Sequence, residues 1–377
     1  MRIGYCTWTN PYDKKSWSGL HYYIMKALEK CGEVIPLGPL DNRFVIWGKI
    51  INKLSKKISG RQFAYMHSPF IAYDFARRLK KKIAKHRIDL LFFSGGSFIL
   101  AYLDVNNPIL YLTDATFKSM IDYYPSFSNL LKISIKYGMQ IETMAIKKSN
   151  KVICSSKWTA ESVIKDYGCS KDKVYTIPFG ANMDMVPSKN EIVSGRKNRR
   201  AVCKLLFVGV DWIRKGGKIA FETMVELNRR GINTELVVCG VNPPKDIQHE
   251  KMRVVGFLDK NYVNQNAKLQ QLYLESSIFI LPTRNECVGI VYCESAAYGL
   301  PVISTYTGGV PSYVKDGANG YLLALNADYH NYADTIQKIW SDKEEYYTLC
   351  KNSRDKYENE LNWDKWSNKV KEIIHSF

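Results

Sequence analysis

Long apolar runs are missing from this chain of 377 residues. A membrane-spanning helix needs about 20 consecutive apolar residues. The best stretch, residues 90–103, is cut by Ser94-Gly95-Gly96-Ser97. Met1-Arg2-Ile3-Gly4-Tyr5 reads as a first strand rather than a signal peptide, so a cytoplasmic protein is expected. Paired cysteine motifs are missing too: there are nine cysteines but no C-x-x-C. Cys154, Cys203, Cys239, Cys287 and Cys293 lie in or beside apolar runs and read as small core residues, kept reduced in a cytosol. The six histidines form no ligand-spaced pair, and no D-x-D stands near a strand end, so neither a metal nor another cofactor is expected.

Acidic residues are few: 36 Asp and Glu against 54 Lys and Arg, a net charge of +18. The excess is uneven, +14 in residues 1–187 and +4 in residues 188–377. Such a basic half favours an anionic partner. No nucleic-acid-binding motif accompanies it, so nucleic acid is not expected and anionic lipid headgroups fit better. Residues 47–58 set Trp47, Ile50, Ile51, Leu54 and Ile58 beside Lys49, Lys53, Lys56 and Lys57, an apolar stripe next to a basic face at helical period. A second basic cluster runs over residues 77–87. Two readings stand for each: a stripe packed on the core with solvated lysines, or contact with a membrane surface.

What is present is alternation. Strand-like runs at 2–6, 34–37, 90–93, 109–112, 151–154 and 174–178 are separated by helical stretches, with Ser155 as a candidate N-cap. A polar stretch, Pro187-Ser188-Lys189-Asn190-Glu191 and then residues 194–200, precedes a second set at 204–209, 235–239, 253–255, 278–281 and 301–304. Strands alternating with helices predict parallel sheets, and two sets predict two Rossmann-like α/β domains. The expected division is residues 1–187, plus an amphipathic final helix at about 363–377, against residues 188–362.

The most telling segment is Arg284-Asn285-Glu286-Cys287-Val288-Gly289-Ile290-Val291-Tyr292-Cys293-Glu294. It links the strand at 278–281 to a helix read at 291–298, which Gly299 stops before the next strand. Ligands of open α/β sheets sit outside the carboxyl ends of the strands. Backbone N–H groups at Gly289, Ile290 and Val291 suit a phosphate. Glu294 suits a ribose hydroxyl pair and Glu286 a sugar hydroxyl. Two glutamates exposed on a surface helix are the competing reading.

With "ESAAYGLPVIST", these residues resemble the signature of the retaining family-4 glycosyltransferases, which have the GT-B fold. "LLFVGVDWIRKGG" at 205–217, "VICSSKWTAESVIKDYG" with "KVYTIPFGAN" at 152–182, "TGGVPSYVKDGANGYLL" at 307–323 and "SWSGLHYYIMKALEKCGEV" at 16–34 follow in the family's order. The resemblance implies two Rossmann-like domains with parallel sheets facing a central cleft and a C-terminal helix crossing back to the first domain. Trp363 and Trp366 are the anchors expected for that helix. It implies a nucleotide-sugar donor, UDP-linked by preference and GDP-linked as the alternative, and a glycan or lipid-linked glycan acceptor of a bacterial-type surface polysaccharide or glycolipid.

The resemblance also assigns roles. Gly209, Arg214 and Lys215 would hold the leaving diphosphate, where fixed cations favour the transition state. Gly19 would let backbone amides approach the phosphates, though the family often has two adjacent glycines where this chain has Ser18-Gly19. Phe257 and Leu258 would hold the base, with Phe257 as a core residue competing. Asp114, in "YLTDATF", departs from the family, which often has a histidine near this point. It would touch the donor sugar or act as a base, or else it caps a helix. Catalytic duty thus falls to Asp114, Arg214, Lys215 and Glu286. Two rivals remain open, a nucleotide-sugar epimerase of the same fold and a non-catalytic glycan- or lipid-binding subunit.

Overall fold

Runs of Val, Ile, Leu and Phe too apolar for a half-wet sheet produce two parallel sheets covered by helices. The computed structural model describes residues 1–192 and 201–377. The basic stretch at 194–200, read above as part of a boundary, lies outside the described residues. The chain divides into two compact units, Met1–Ile177 with Ser367–Phe377, and Pro178–Trp366.

In the first unit six strands, β1 (Arg2–Cys6), β2 (Glu33–Pro36), β3 (Leu90–Ser94), β4 (Ile109–Thr113), β5 (Lys151–Cys154) and β6 (Val174–Thr176), pair in the order β2-β1-β3-β4-β5-β6. All the pairings are parallel. Parallel neighbours need long crossovers, and helices supply them: α1 (Leu20–Leu28), α2 (Phe44–Ser59), α3 (Pro69–Ile83), α4 (Lys132–Lys148) and α5 (Lys157–Lys165). Every residue of β3 and β4 is buried. The cap of α5 is Ser156, whose hydroxyl accepts the Thr159 N–H at 3.2 Å, one residue later than the sequence suggested.

The second unit repeats the plan. Strands β7 (Cys203–Val208), β8 (Thr234–Cys239), β9 (Met252–Gly256), β10 (Ile278–Leu281), β11 (Val302–Thr305) and β12 (Gly320–Leu323) pair in parallel as β12-β11-β10-β7-β8-β9. Their helices are α6 (Gly217–Arg229), α7 (Val263–Glu275), α8 (Ile290–Ala297), α9 (Tyr329–Ser341) and α10 (Lys343–Asn359). Gly299, at φ +60°, ends α8: the N–H groups of Gly299 and Leu300 bond back to Ala296 and Ser295 at 2.9 Å each. The last helix, α11 (Trp363–His375), carries the division between the units inside it, after the fully buried Trp366. Among the described residues no helix is long and apolar enough to cross a membrane.

Candidate functional site

The loop from β7 to α6 is shaped by glycines. Gly216 sits at φ +74°, and a Cβ there would lie 2.0 Å from the Pro282 carbonyl oxygen. Only glycine lets the loop close onto the end of β10 in this way. Across that contact the Arg284 N–H donates to the Arg214 carbonyl at 2.7 Å, and the Arg214 guanidinium donates to the Asn285 carbonyl at 3.0 Å. Asp211 lies 3.4 Å from the same guanidinium. The next residue, Lys215, turns inward and donates to a carboxylate oxygen of Glu286, with both side chains buried. Gly209 leaves room for this lysine: a Cβ on it would lie 3.1 Å from Lys215 Cγ. Gly209, Arg214, Lys215 and Glu286 are therefore one cluster at the carboxyl ends of β7 and β10.

From Glu286 the chain runs three residues to Gly289, the N-cap of α8, in the left-handed region at φ +71°. No side chain caps this helix. Of the first-turn N–H groups, that of Tyr292 donates to the Gly289 carbonyl at 2.9 Å, while those of Ile290 and Val291 have no partner within the helix by geometry, and a helix N-terminus of this kind attracts anions. One turn further, Glu294 is almost wholly buried. Lys260 donates to its Oε1 and the Tyr273 hydroxyl to its Oε2, the latter at 2.9 Å. Burial, then the Glu294 charge, pushes the Tyr273 phenol well above its ordinary range. Lys260 also reaches the Asn182 carbonyl at 3.2 Å. Phe257, after β9, is 56% exposed, so it is not a core residue, and Leu258 is half-buried beside it.

Asp114 and Gly19 belong to the first unit. Asp114 follows β4, half-buried, and its carbonyl accepts the Thr159 hydroxyl at 2.6 Å. The cap of the one-turn helix Phe117–Met120 is Thr116, in a reciprocal pair with Ser119, so the helix-cap alternative for Asp114 falls away. Gly19 caps α1 at φ +87°. The two residues before it, Trp17 and Ser18, also have positive φ, at 49° and 56°. Consecutive non-glycine residues in that region store strain, which clusters at functional loops. His21, buried beside Trp8 and Trp17, is held by Ser94 and Thr9, and burial pushes its pKa down to about 4.

Residues 194–356 match the family described as Glycosyl transferases group 1, and residues 55–184 match Glycosyltransferase Family 4. The chain belongs to the family-4 glycosyltransferases. The D-inositol 3-phosphate glycosyltransferase of Corynebacterium aurimucosum is 26% identical over 218 residues, covering 53% of this chain and 51% of that protein. The chain thus spans about half the length of this curated relative. Among solved structures, the sucrose-phosphate synthase of Thermosynechococcus elongatus superposes with a TM-score of 0.69 at 17% identity, covering 100% of this chain and 98% of that one. HepE of Anabaena, solved with UDP-glucose, superposes with a TM-score of 0.66 at 13% identity over 100% of both chains. These two likenesses bear on the GT-B fold.

The group 1 match contains the whole cluster of the second unit. The family 4 match contains Asp114 but not Gly19, whose reading rests on the loop geometry alone. Sequence reasoning missed Lys260 and Tyr273, the two partners of Glu294. The basic loop position of Lys260, four residues after Gly256, was the one available signal. Nothing local in the sequence pairs it with a carboxylate 34 residues away. Cys287 and Cys293 are buried, and burial holds the Cys293 thiol well above its ordinary range, as befits a core residue. Among the described residues no group of three His, Cys, Asp or Glu is arranged to hold a metal ion.

Proposed function

We propose that the protein is a retaining glycosyltransferase that moves a hexosyl unit from a nucleotide-sugar to a hydroxyl of a glycan or lipid-linked glycan. The observation that carries this reading is the buried Lys215–Glu286 pair beside the uncapped start of α8. A diphosphate lodged there meets the first-turn amides and the helix dipole. Arg214 and Lys215 offset the negative charge that grows on it as the bond to the sugar breaks. Glu286, released from Lys215 as that lysine turns to the phosphate, accepts a donor-sugar hydroxyl. Glu294 accepts the ribose hydroxyls, and Phe257 and Leu258 flank the base.

In the reaction the anomeric C–O bond breaks with its electron pair going to the diphosphate. The acceptor oxygen bonds to the anomeric carbon on the same face, and its proton passes to a diphosphate oxygen. Asp114, which follows β4, is assigned in this scheme to a donor-sugar hydroxyl or to the role of base, on the family resemblance. UDP is the favoured carrier, since HepE, of like fold, was solved with UDP-glucose. With a lipid-linked acceptor, of the kind used for surface polysaccharide or glycolipid, the protein works as a peripheral protein on the inner face of a membrane.

Calorimetric titration with UDP and GDP, followed by product analysis with the matching sugar donors, tests the reading. Tight UDP binding with transfer to an added glycan acceptor, and an α-configured product from an α-linked donor, is the expected result. Conversion of the donor to an epimer without acceptor would assign the epimerase reading instead. Absence of any nucleotide binding would leave a non-catalytic subunit.

A further inference from the structure

Helix α2 is amphipathic with its sides reversed. Its large apolar residues, Ile46, Trp47, Ile50, Ile51, Leu54 and Ile58, are between 44% and 83% exposed. Toward the protein it turns Phe44 and Val45 at its start, which pack on the core, and after them only small or polar residues. Gly48, the helix's one buried residue, lies so close to Tyr65 that a Cβ would sit 2.7 Å from the Tyr65 Cβ. Asn52 accepts the Phe63 N–H at 2.8 Å, and the Ser55 hydroxyl donates to the Arg61 carbonyl at 2.8 Å. At 100° per residue the six apolar side chains share one arc of about 140°. Gly48, Asn52 and Ser55 lie on the opposite side. The core-packing reading of this stripe, open at the level of sequence, is therefore wrong.

The rim of the stripe is basic. Lys49, Lys53 and Lys56 occupy the arc along one edge, Lys57 stands just inside that edge, and α2 carries no acid. Among the described residues none of the four has an ion-pair partner. The second cluster, on α3 and the turn after it, is partly paired: Arg77 and Arg78 bind Asp74 at 3.2 and 2.5 Å, Lys80 binds Asp104 at 2.8 Å, and Lys82 donates to the Pro39 carbonyl, while Lys81, Lys85 and Arg87 form no ion pair among the described residues. What sets α2 apart is that its lysines stand beside an exposed apolar stripe. Its neighbour contributes Phe70 and Tyr73, both exposed, and the Phe70 ring meets Phe44 at the start of α2.

We propose that α2 is a docking helix that lies in the interface of an anionic phospholipid bilayer. Apolar side chains of this size exposed together on one helix need a cover. The four lysines choose the kind of cover. A second copy of this chain would bring a second acid-free, lysine-edged helix and set like charges together. An anionic bilayer offers hydrocarbon for the stripe and phosphate for the rim, with lysine stems lying along the apolar surface and their heads at the headgroups. The proposal adds an attachment site to the functional reading above, and it stands or falls separately from donor binding.

Flotation of the full chain with vesicles of phosphatidylglycerol and phosphatidylcholine in equal parts, against phosphatidylcholine alone, is the test. Binding to the anionic vesicles at low salt is expected, weakening as salt shortens the Debye length from about 10 Å at 0.1 M to about 3 Å at 1 M. Each lysine contributes about fivefold to partitioning. Replacing Lys49, Lys53, Lys56 and Lys57 by Gln together should lower it several hundredfold. Ile51→Asp with Leu54→Asp should remove it altogether. Both sets leave Gly48, Asn52 and Ser55 in place, and unchanged melting and UDP titration on the same samples separate lost docking from lost folding. Equal recovery on neutral and anionic vesicles would overturn the proposal. So would flotation of the double Asp variant like the parent. A concentration-dependent dimer that the double Asp variant abolishes, with no vesicle binding, would give the face to a second copy.

Discussion

Glu294→Gln separates binding from architecture at the centre of the second unit. The carboxylate is 1% exposed and accepts from Lys260 on one oxygen and Tyr273 on the other. An amide of the same shape still accepts from Tyr273 but leaves the Lys260 ammonium, 13% exposed, without its counter-charge. Breaking one side of a buried pair costs about 3–5 kcal/mol. The Asn182 carbonyl still accepts from Lys260, and the amide oxygen gives partial compensation, so the low end, about 3 kcal/mol, is expected. At roughly 2–4 °C per kcal/mol for a unit of this size, melting should fall by about 6–12 °C. The effect on ligand is a separate quantity. A carboxylate has about four acceptor positions, and two are in use. The ribose hydroxyls would take the others, or displace Lys260, at about 1.5–3 kcal/mol for a hydrogen bond to a charged group. Loss of one such bond weakens UDP binding about 10- to 100-fold. Calorimetry at a temperature well below the lowered melting point reads this directly. A variant that melts early yet binds UDP like the parent would make Glu294 a purely structural acid and remove it from the donor site. Unchanged melting would refute the buried pair itself.

Arg214→Ala and Lys215→Ala should each lower kcat by about 100-fold, the worth of one fixed cation at a developing charge. Near-parental turnover in both would end the leaving-group role. Glu142 gives a pH signature in the first unit. It is fully buried with the Tyr111 hydroxyl donating to it at 3.1 Å, and burial pushes its pKa up from 4.5 to about 7. The folded state therefore prefers the protonated acid. Its contribution is full below pH 4.5 and is lost as pH rises through 7, a span of roughly 3 kcal/mol. Glu142→Gln should flatten that fall in melting temperature, and an unaltered slope would clear Glu142 of it. Gly48→Ala should destabilise the first unit by about 1–3 kcal/mol, because the new methyl meets Tyr65. Parental melting would mean that α2 is not held where it is described.

The central strands, β3, β4, β10 and β11, were legible because burial on both faces leaves a run that reads the same in any context. β1, β5 and β10 begin and end where the apolar runs do, and the others differ by a residue or two at their ends. β12 was read only as part of a longer segment, since Gly320-Tyr321-Leu322-Leu323 is too short to stand out. The glutamate segment was legible for a different reason. A strand end, a left-handed glycine and a helix start must come in that order to expose amides, and Leu281, Gly289 and Ile290 do. Partners were not legible. Lys215 on Glu286 joins two loops 71 residues apart and Lys260 on Glu294 joins a loop to a helix 34 residues on, and only the sheet order brings them within reach.

Helix α2 shows the limit of periodicity most directly. An apolar stripe at helical spacing states that two sides differ, not which side meets the protein. The usual resolution, stripe inward, assumes that the core is the only apolar surface on offer. What decides here is the opposite side: Gly48 has no side chain and fits under Tyr65, while Asn52 and Ser55 satisfy the backbone of the chain that follows. A helix held by Phe44 and Val45 at its start and by small and polar residues after them has no place for Trp47 or Ile51 beneath it. The lysines then carry a second meaning. On a helix with its stripe buried they would be a solvated face, but beside an exposed stripe they would favour a partner with negative charge and an apolar interior, as the docking proposal requires. If α2 docks as proposed, the +14 excess of residues 1–187 would act in the same direction over a longer range, drawing the first unit toward such a surface before α2 makes contact.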